Sequence, residues 1–222
     1  MITTRRAVLT ATAAGLAILA SGCGQAAPAG AGDAQLNALL ERIATQFLHE
    51  SPEAATGLAV SEERAGGRFI DRLSDASKEG RHRQLQLAET AVADLQGISR
   101  EALSDAGKAS YDVVLTALQQ GNAASRFDYG GGATGPYVLT QLTGSYTGTP
   151  DFLASQHPVT NREQADAYLA RLSAYARQLD QEIAVLNADA AAGVIPPDFT
   201  IERNPEQGET GKKGAIPQLR TF

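Results

Sequence analysis

TNREQADAYLARLSAYARQLDQEIAVLNADAAAGVIPP, residues 160–197, decides the fold class. Within it Leu169, Leu172, Ala176, Leu179, Ile183 and Leu186 recur three and four residues apart, the period that lines apolar side chains along one stripe of an α-helix. The stripe is narrow, as suits packing on a neighbouring helix at a shallow angle. Thr160 is a candidate N-cap, with Glu163 at the spacing of a capping box. Gly193 fits the C-terminal cap, and Pro196-Pro197 forbids further helix. This is the longest helix the sequence predicts.

Immediately before it, residues 130–160 form the one long segment whose apolar residues follow no helical period. Tyr137, Val138, Leu139, Leu142, Tyr146, Phe152 and Leu153 give it more apolar surface than a disordered chain carries. It is expected to be a long ordered loop docked on helices, with at most a short hairpin inside it.

Further back the helical period returns. Leu36, Leu40, Ile43 and Phe47 make one stripe from Asp33 to about Glu50. Ser51-Pro52-Glu53 supplies an N-cap, a first-turn proline and a first-turn acid for a short helix ending near Gly57. Gly66-Gly67 marks a loop. Leu85, Ala88, Val92 and Leu95 follow Ser77, and Gly97 closes that run. Ser104-Asp105 can cap a helix bearing Tyr111, Val114, Leu115 and Leu118, expected to end at Gly121-Asn122. No stretch sustains a two-residue alternation, so the fold class is all-α, a helical array with one long ordered loop at about 130–160.

The totals bound the function. A chain of 222 residues with net charge −6 and pI about 5.1 has no basic field for a phosphate backbone, which argues against nucleic acid as a partner. A single cysteine, Cys23, excludes an internal disulfide framework. Residues 1–23 read as an export signal: Arg5-Arg6 precede a weakly apolar run too short to span a bilayer, in the manner of twin-arginine leaders. Ala20-Ser21-Gly22-Cys23 resembles a lipoprotein cleavage box, although the expected leucine stands one residue early, at Leu19. Two outcomes stay open: a membrane-anchored lipoprotein acylated on Cys23, or a cut after Ala27-Pro28-Ala29 that frees a periplasmic protein. Residues 24–32 read as a flexible tether. Residues 33–199 are the helical part, and residues 200–222, with no period and almost no apolar residues before the end, stand outside it as a disordered or frame-shifted tail.

Recognisable chemistry is sparse. A zinc peptidase helix needs two histidines four residues apart with a glutamate as general base, and His49, His82 and His157 have no such spacing. The bland role of each histidine is structural or solvated. For His157, before Pro158, that means tying the loop to a helix end. Gly130, Gly132 and Gly135 spell a dinucleotide fingerprint, but no strand leads into them and Pro136 follows. The serine of Gly144-Ser145-Tyr146-Thr147-Gly148 adjoins the first glycine and is no nucleophile elbow. Tyr137, Tyr146 and His157 are the candidates to line a cleft. The plainer role for the two tyrosines is to anchor the loop by packing.

Ser51-Pro52-Glu53 with Ala55-Thr56-Gly57, Arg72-Leu73-Ser74-Asp75, Gly135-Pro136-Tyr137, His157-Pro158-Val159, Tyr168-Leu169-Ala170-Arg171-Leu172, and Gly193 with Pro196-Pro197 occur in this order. In order and spacing they resemble the N-terminal part of the bacterial family called domain of unknown function 885. The resemblance implies a large, exported, α-helical protein akin to zinc carboxypeptidases, with an H-E-x-x-H type motif in its C-terminal half, a zinc cofactor and a peptide substrate. This chain has no position matching that motif, so no catalytic or metal residue is carried over. The expectation is a helical portion, incomplete relative to the family and inactive alone, with peptide binding left to the full-length parent and membrane contact only through a lipidated Cys23. The other expectation is a self-sufficient exported helical module that binds a partner.

Overall fold

A computed structural model describes residues 30–197, apart from 126, 132–134 and 141. The leader with Arg5, Arg6 and Cys23, most of the expected tether and the tail beyond residue 199 lie outside the described residues. Six α-helices and one 3-10 turn make up the regular structure of the described residues, and the protein is all-α. They are α1 (Asp33–Glu50), α2 (Pro52–Gly57), α3 (Lys78–Gln96), the 3-10 turn (Arg100–Ala102), α4 (Asp105–Ser125), α5 (Ser145–Ser155) and α6 (Arg162–Ala191).

Helices α1, α3 and α4 share the main core. Leu36, Leu39 and Ile43 of α1 meet Ala91 and Leu95 of α3, Ile98 and Leu103 of the turn between helices, and Tyr111 of α4. Each start has a local cause. Ser77 accepts from Gly80 N at the head of α3, and Ser104 Oγ accepts from Gly107 N at the head of α4. The Asp33 carboxylate takes hydrogen bonds from Ser104 N (3.0 Å) and Ser104 Oγ (2.6 Å), tying the start of α1 to the start of α4. A smaller cluster of Ala55, Ala65 and Phe69 seats α2 and the irregular segment after it, where Gly66 and Gly67 take positive φ.

Three expectations need correction. The segment 130–160 is not all loop: it contains α5, and the described residues hold no strand. Ser-Tyr-Thr-Gly-Thr-Pro is poor helix-forming sequence, and Pro150 inside α5 cannot donate a backbone bond. Burial of Phe152 and Leu153, and partners reaching over from α6, override that propensity. Helix α4 runs past Gly121-Asn122 to Ser125. The cap of α6 is Asn161, whose side chain accepts from Gln164 N at 2.9 Å, while Thr160 donates to the Gln164 side chain.

The larger correction concerns the face that α6 buries. Leu169 is 59% and Ile183 53% exposed, and Leu172, Leu179 and Leu186 are half-buried. What α6 buries is Ala167, Arg171, Gln178, Glu182, Val185 and Asp189, a second stripe about a third of a turn away at 100° per residue.

Candidate functional site

The buried stripe of α6 is polar because of what lies on it. Two largely irregular connections, residues 58–77 and the segment around α5, cross this helix, and their backbone N–H and C=O groups need partners once water is displaced. Leucines cannot supply them; arginine, glutamine, glutamate and aspartate can. A shape-complementary apolar face would leave those groups orphaned.

Arg171 is the hub. Its side chain is fully buried and none of its acceptors is a carboxylate. Nε donates to Arg72 O at 2.8 Å, Nη1 to His157 Nδ1 at 2.7 Å, and Nη2 to Thr56 Oγ1 at 2.7 Å and Phe69 O at 3.2 Å, with Pro52 O at 3.4 Å. The guanidinium carbon lies 4.8 Å from the centre of the Phe152 ring, in cation–π range. Burial draws its pKa down to about 10, against the more distant charges of Glu53 and Asp71, so it stays protonated at neutral pH. One side chain thus pins α2, the 58–77 connection, the end of α5 and α6 together.

The arginine also fixes the state of His157. A guanidinium can only donate, so Nδ1 is the accepting nitrogen and Nε2 carries the proton, donated to Gln164 O at 3.0 Å in the first turn of α6. Burial, with the Arg171 charge adding to it, holds the imidazole pKa below its ordinary value. The ring packs edge-on against Tyr168 at 5.4 Å between centroids.

Further along α6, Gln178 accepts from Thr149 Oγ1 (2.7 Å) and donates to Ser74 O (3.1 Å), bridging α5 to the 58–77 connection. Glu182 accepts from Ser145 N (2.9 Å) and Ser145 Oγ (2.9 Å). Gly144, the residue before α5, has no capping side chain, so a carboxylate from another helix occupies the positive end of α5. Burial raises the Glu182 carboxyl while the Ser145 bonds pull it back. The Ser145–Glu182 pair is buried at a helix start, and its geometry is that of a cap. Asp189 Oδ2 accepts from Gly130 N at 2.8 Å.

The pieces of sequence that suggest a family converge on this seam. Pro52, Thr56, Arg72, His157 and Arg171 stand in five of the quoted fragments, and all meet at one guanidinium. The sequence profile of the family described as "Bacterial protein of unknown function (DUF885)" matches residues 52–218. The chain belongs to the DUF885 family. The match takes in most of the tail expected to stand outside the fold. No curated protein matches the DUF885 chain in sequence. Among solved structures, that of an inferred lipoprotein from Colwellia psychrerythraea is similar, with TM-score 0.69 and 20% identity over 86% of this chain and 31% of the other. The DUF885 chain therefore spans about a third of that neighbour's length, and the likeness is one of fold.

His157 is buried in the seam with both ring nitrogens engaged. Tyr146 is half-buried and donates to Thr140 O at 2.7 Å, and Tyr137 is half-buried in the loop. His49 sits beside Glu50 at the end of α1 (3.4 Å), and His82 of α3 reaches Asp128 (3.4 Å), both on the surface. No three His, Cys, Asp or Glu side chains among the described residues gather to hold a metal ion. With no such gathering and both His157 nitrogens engaged, the described residues do not fit a zinc ion. No helix among the described residues is long and apolar enough to cross a membrane. An open cleft of about 450 Å³ lies at the head of α6, lined by Arg68, Asp71, Glu163 and Asp166 among others. Its charges are already matched, Arg68 to Glu163 at 2.7 Å and to Asp71 at 2.8 Å, so it has little unpaired charge to offer a ligand.

Arg171, Gln178, Glu182 and Asp189 are absent from the sequence-based candidates. A signal for them exists in the heptad-like spacing of polar residues along a helix that also carries a leucine stripe.

Proposed function

We propose that this chain is the N-terminal helical portion of an exported, metallopeptidase-like DUF885 protein, a framing body that is catalytically inert alone. The exposed leucine face of α6 carries this reading. A helix thirty residues long has its polar stripe covered and its leucine stripe only partly covered, with Leu169, Ala176 and Ile183 exposed and Leu172 and Leu179 half-buried, although the second stripe is the one with transfer free energy to gain. The body expected to cover it is the remaining helical part of the family fold, and the neighbour's length leaves ample chain for one, since 31% of it is matched. In this reading the segment bearing Tyr137 and Tyr146 walls a peptide-binding cleft that the second body completes, and zinc belongs to that body.

Export through the Arg5-Arg6 leader, with acylation of Cys23 as the anchor, is part of the same proposal; the neighbour described as an inferred lipoprotein supports it. The test is purification of the full chain followed by metal analysis, a peptidase assay and light scattering. The reading expects no zinc, no turnover, and self-association that Leu169→Glu with Ile183→Glu relieves. Stoichiometric zinc with peptide hydrolysis, or a monomer indifferent to those substitutions, overturns it. A self-sufficient binding module is the second reading, supported by the Arg171 hub, which secures both connections to α6 with groups from this chain alone.

A further inference from the structure

The uncovered face of α6 is complementary to itself. Leu169 and Ile183 are both exposed and stand seven residues before and seven after Ala176, which is itself exposed and at the middle of Arg162–Ala191. At 100° per residue the three lie within about 20° of one line along the helix. The two sides of that line differ. On one, the half-buried Leu172, Leu179 and Leu186 form an apolar margin; on the other, Asp166, Ser173, Asp180 and Asn187 form an exposed polar one.

Two such faces match in one direction only. In a parallel pair of helices the polar margin of one copy lies on the leucine margin of the other, whereas in an antiparallel pair each margin meets its own kind. We propose that this chain pairs with a second copy of itself through α6, the two helices antiparallel about a two-fold axis at Ala176. Such an axis makes the contact self-complementary, each residue meeting the one equally far on the other side of Ala176, to within one position. The proposal rests on the exposed leucine face read above, and names what covers that face when no second body does.

In this register Leu169 meets the partner's Ile183 and Leu172 meets the partner's Leu179, while the small Ala176 side chain at the axis lets the helices approach closely. On the polar margin Ser173 lies opposite the partner's Asp180, and Asp166 opposite the partner's Asn187, so a hydroxyl and an amide donor are each set against a carboxylate and no two carboxylates face each other. Arg177, about 100° round from Ala176, stays at the solvent edge. Because Ala176 is at the middle of α6, the register that matches the side chains also overlaps the two helices over their whole length. The contact is about 45 Å long and about 10 Å wide, or about 900 Å² over both copies, below the size of a standard specific interface. The pair is therefore weak and dissociates on dilution.

The experiment joins the two copies by a disulfide. With Cys23 replaced by serine, full chain carrying Leu169→Cys is mixed with full chain carrying Ile183→Cys and mildly oxidised at concentrations where sedimentation shows a dimer. The expected product joins position 169 to position 183, and neither variant alone links to itself, since like positions then lie about 21 Å apart along the axis. Ser173→Asp sets carboxylates opposite each other at two places in the contact and should weaken the dimer by about fivefold or more in sedimentation. Within its own helix it gains Arg177 four residues on, so the melting temperature measured at monomer dilution should not fall, which separates a lost contact from misfolding. Ser173→Lys, opposite the partner's Asp180, should tighten the dimer. A product linking 169 to 169, or a dimer indifferent to both Ser173 substitutions, refutes the antiparallel pairing and leaves the exposed face standing. A monomer at every concentration refutes the pairing and the reading of that face together.

Discussion

Replacing Arg171 by methionine tests the energetics of the polar seam at its most connected point. Methionine fills similar volume and removes the desolvation of one charge, but it leaves Arg72 O, Thr56 Oγ1 and His157 Nδ1 without that donor, while Phe69 O keeps Arg72 N (3.0 Å) and Pro52 O keeps Thr56 Oγ1 (2.9 Å). Each buried acceptor left unpaired costs about 1–3 kcal/mol, and partial relaxation limits the sum to about 3–5 kcal/mol, the range for breaking a buried charged arrangement. At 2–4 °C per kcal/mol for a domain of this size, the melting temperature should fall by roughly 6–20 °C. Arg171→Lys keeps the charge but concentrates its donors at one atom, which cannot face α2, the 58–77 connection and His157 at once, so it should lose more than half as much. Circular-dichroism melts of the full chain at pH 7 measure both. Amide exchange should quicken first around Thr56, Phe69 to Ser74 and His157, the segments the guanidinium holds. A methionine variant melting within about 2 °C of the parent, or above it, would refute the reasoning.

Other expected outcomes follow from the same seam. Burial raises the folded Glu182 pKa above its ordinary 4.5, so Glu182 contributes stability that is full below 4.5 and lost as pH rises through the folded value; Glu182→Gln should flatten that limb of the stability profile in denaturant melts. His157 has the opposite slope: its folded pKa lies below 6.5, so stability is full above 6.5 and declines as pH falls through the folded value, a decline His157→Gln should remove. Gly130 has φ 68°, and a Cβ there would run into the Pro136 carbonyl; Gly130→Ala should destabilise by about 1–3 kcal/mol in urea melts and loosen the loop from Asp189.

Much of the fold is legible in the sequence because α1 to α4 announce themselves locally. Ser77 and Ser104 cap, Pro52 starts a helix at its first position, and the stripe through Leu36 and Ile43 goes into the core. What escapes is set by tertiary structure. Helix α5 has a glycine, two threonines and an internal proline, and its start is held by Glu182, 37 residues further along the chain. The leucines of α6 advertise a buried face, yet the buried face is the one bearing Arg171, Gln178, Glu182 and Asp189, because the segments that cross the helix bring backbone groups in need of partners. His157 stands out in the sequence, but the guanidinium that fixes its tautomer is read there only as one letter of a family fragment.

The orientation of α6 is the claim on which the seam, the exposed leucine face and the proposed second body all rest. With Cys23, the chain's single cysteine, replaced by serine, cysteines introduced one at a time at Leu169, Ile183, Ala167 and Val185 can be labelled by a thiol reagent under native conditions. At dilutions where light scattering shows a monomer, the account predicts rates at 169 and 183 close to those of the unfolded chain, and slowing at 167 and 185 by about a hundredfold or more, as buried positions require. Protection at 169 and 183 together with rapid labelling at 167 and 185 would contradict it.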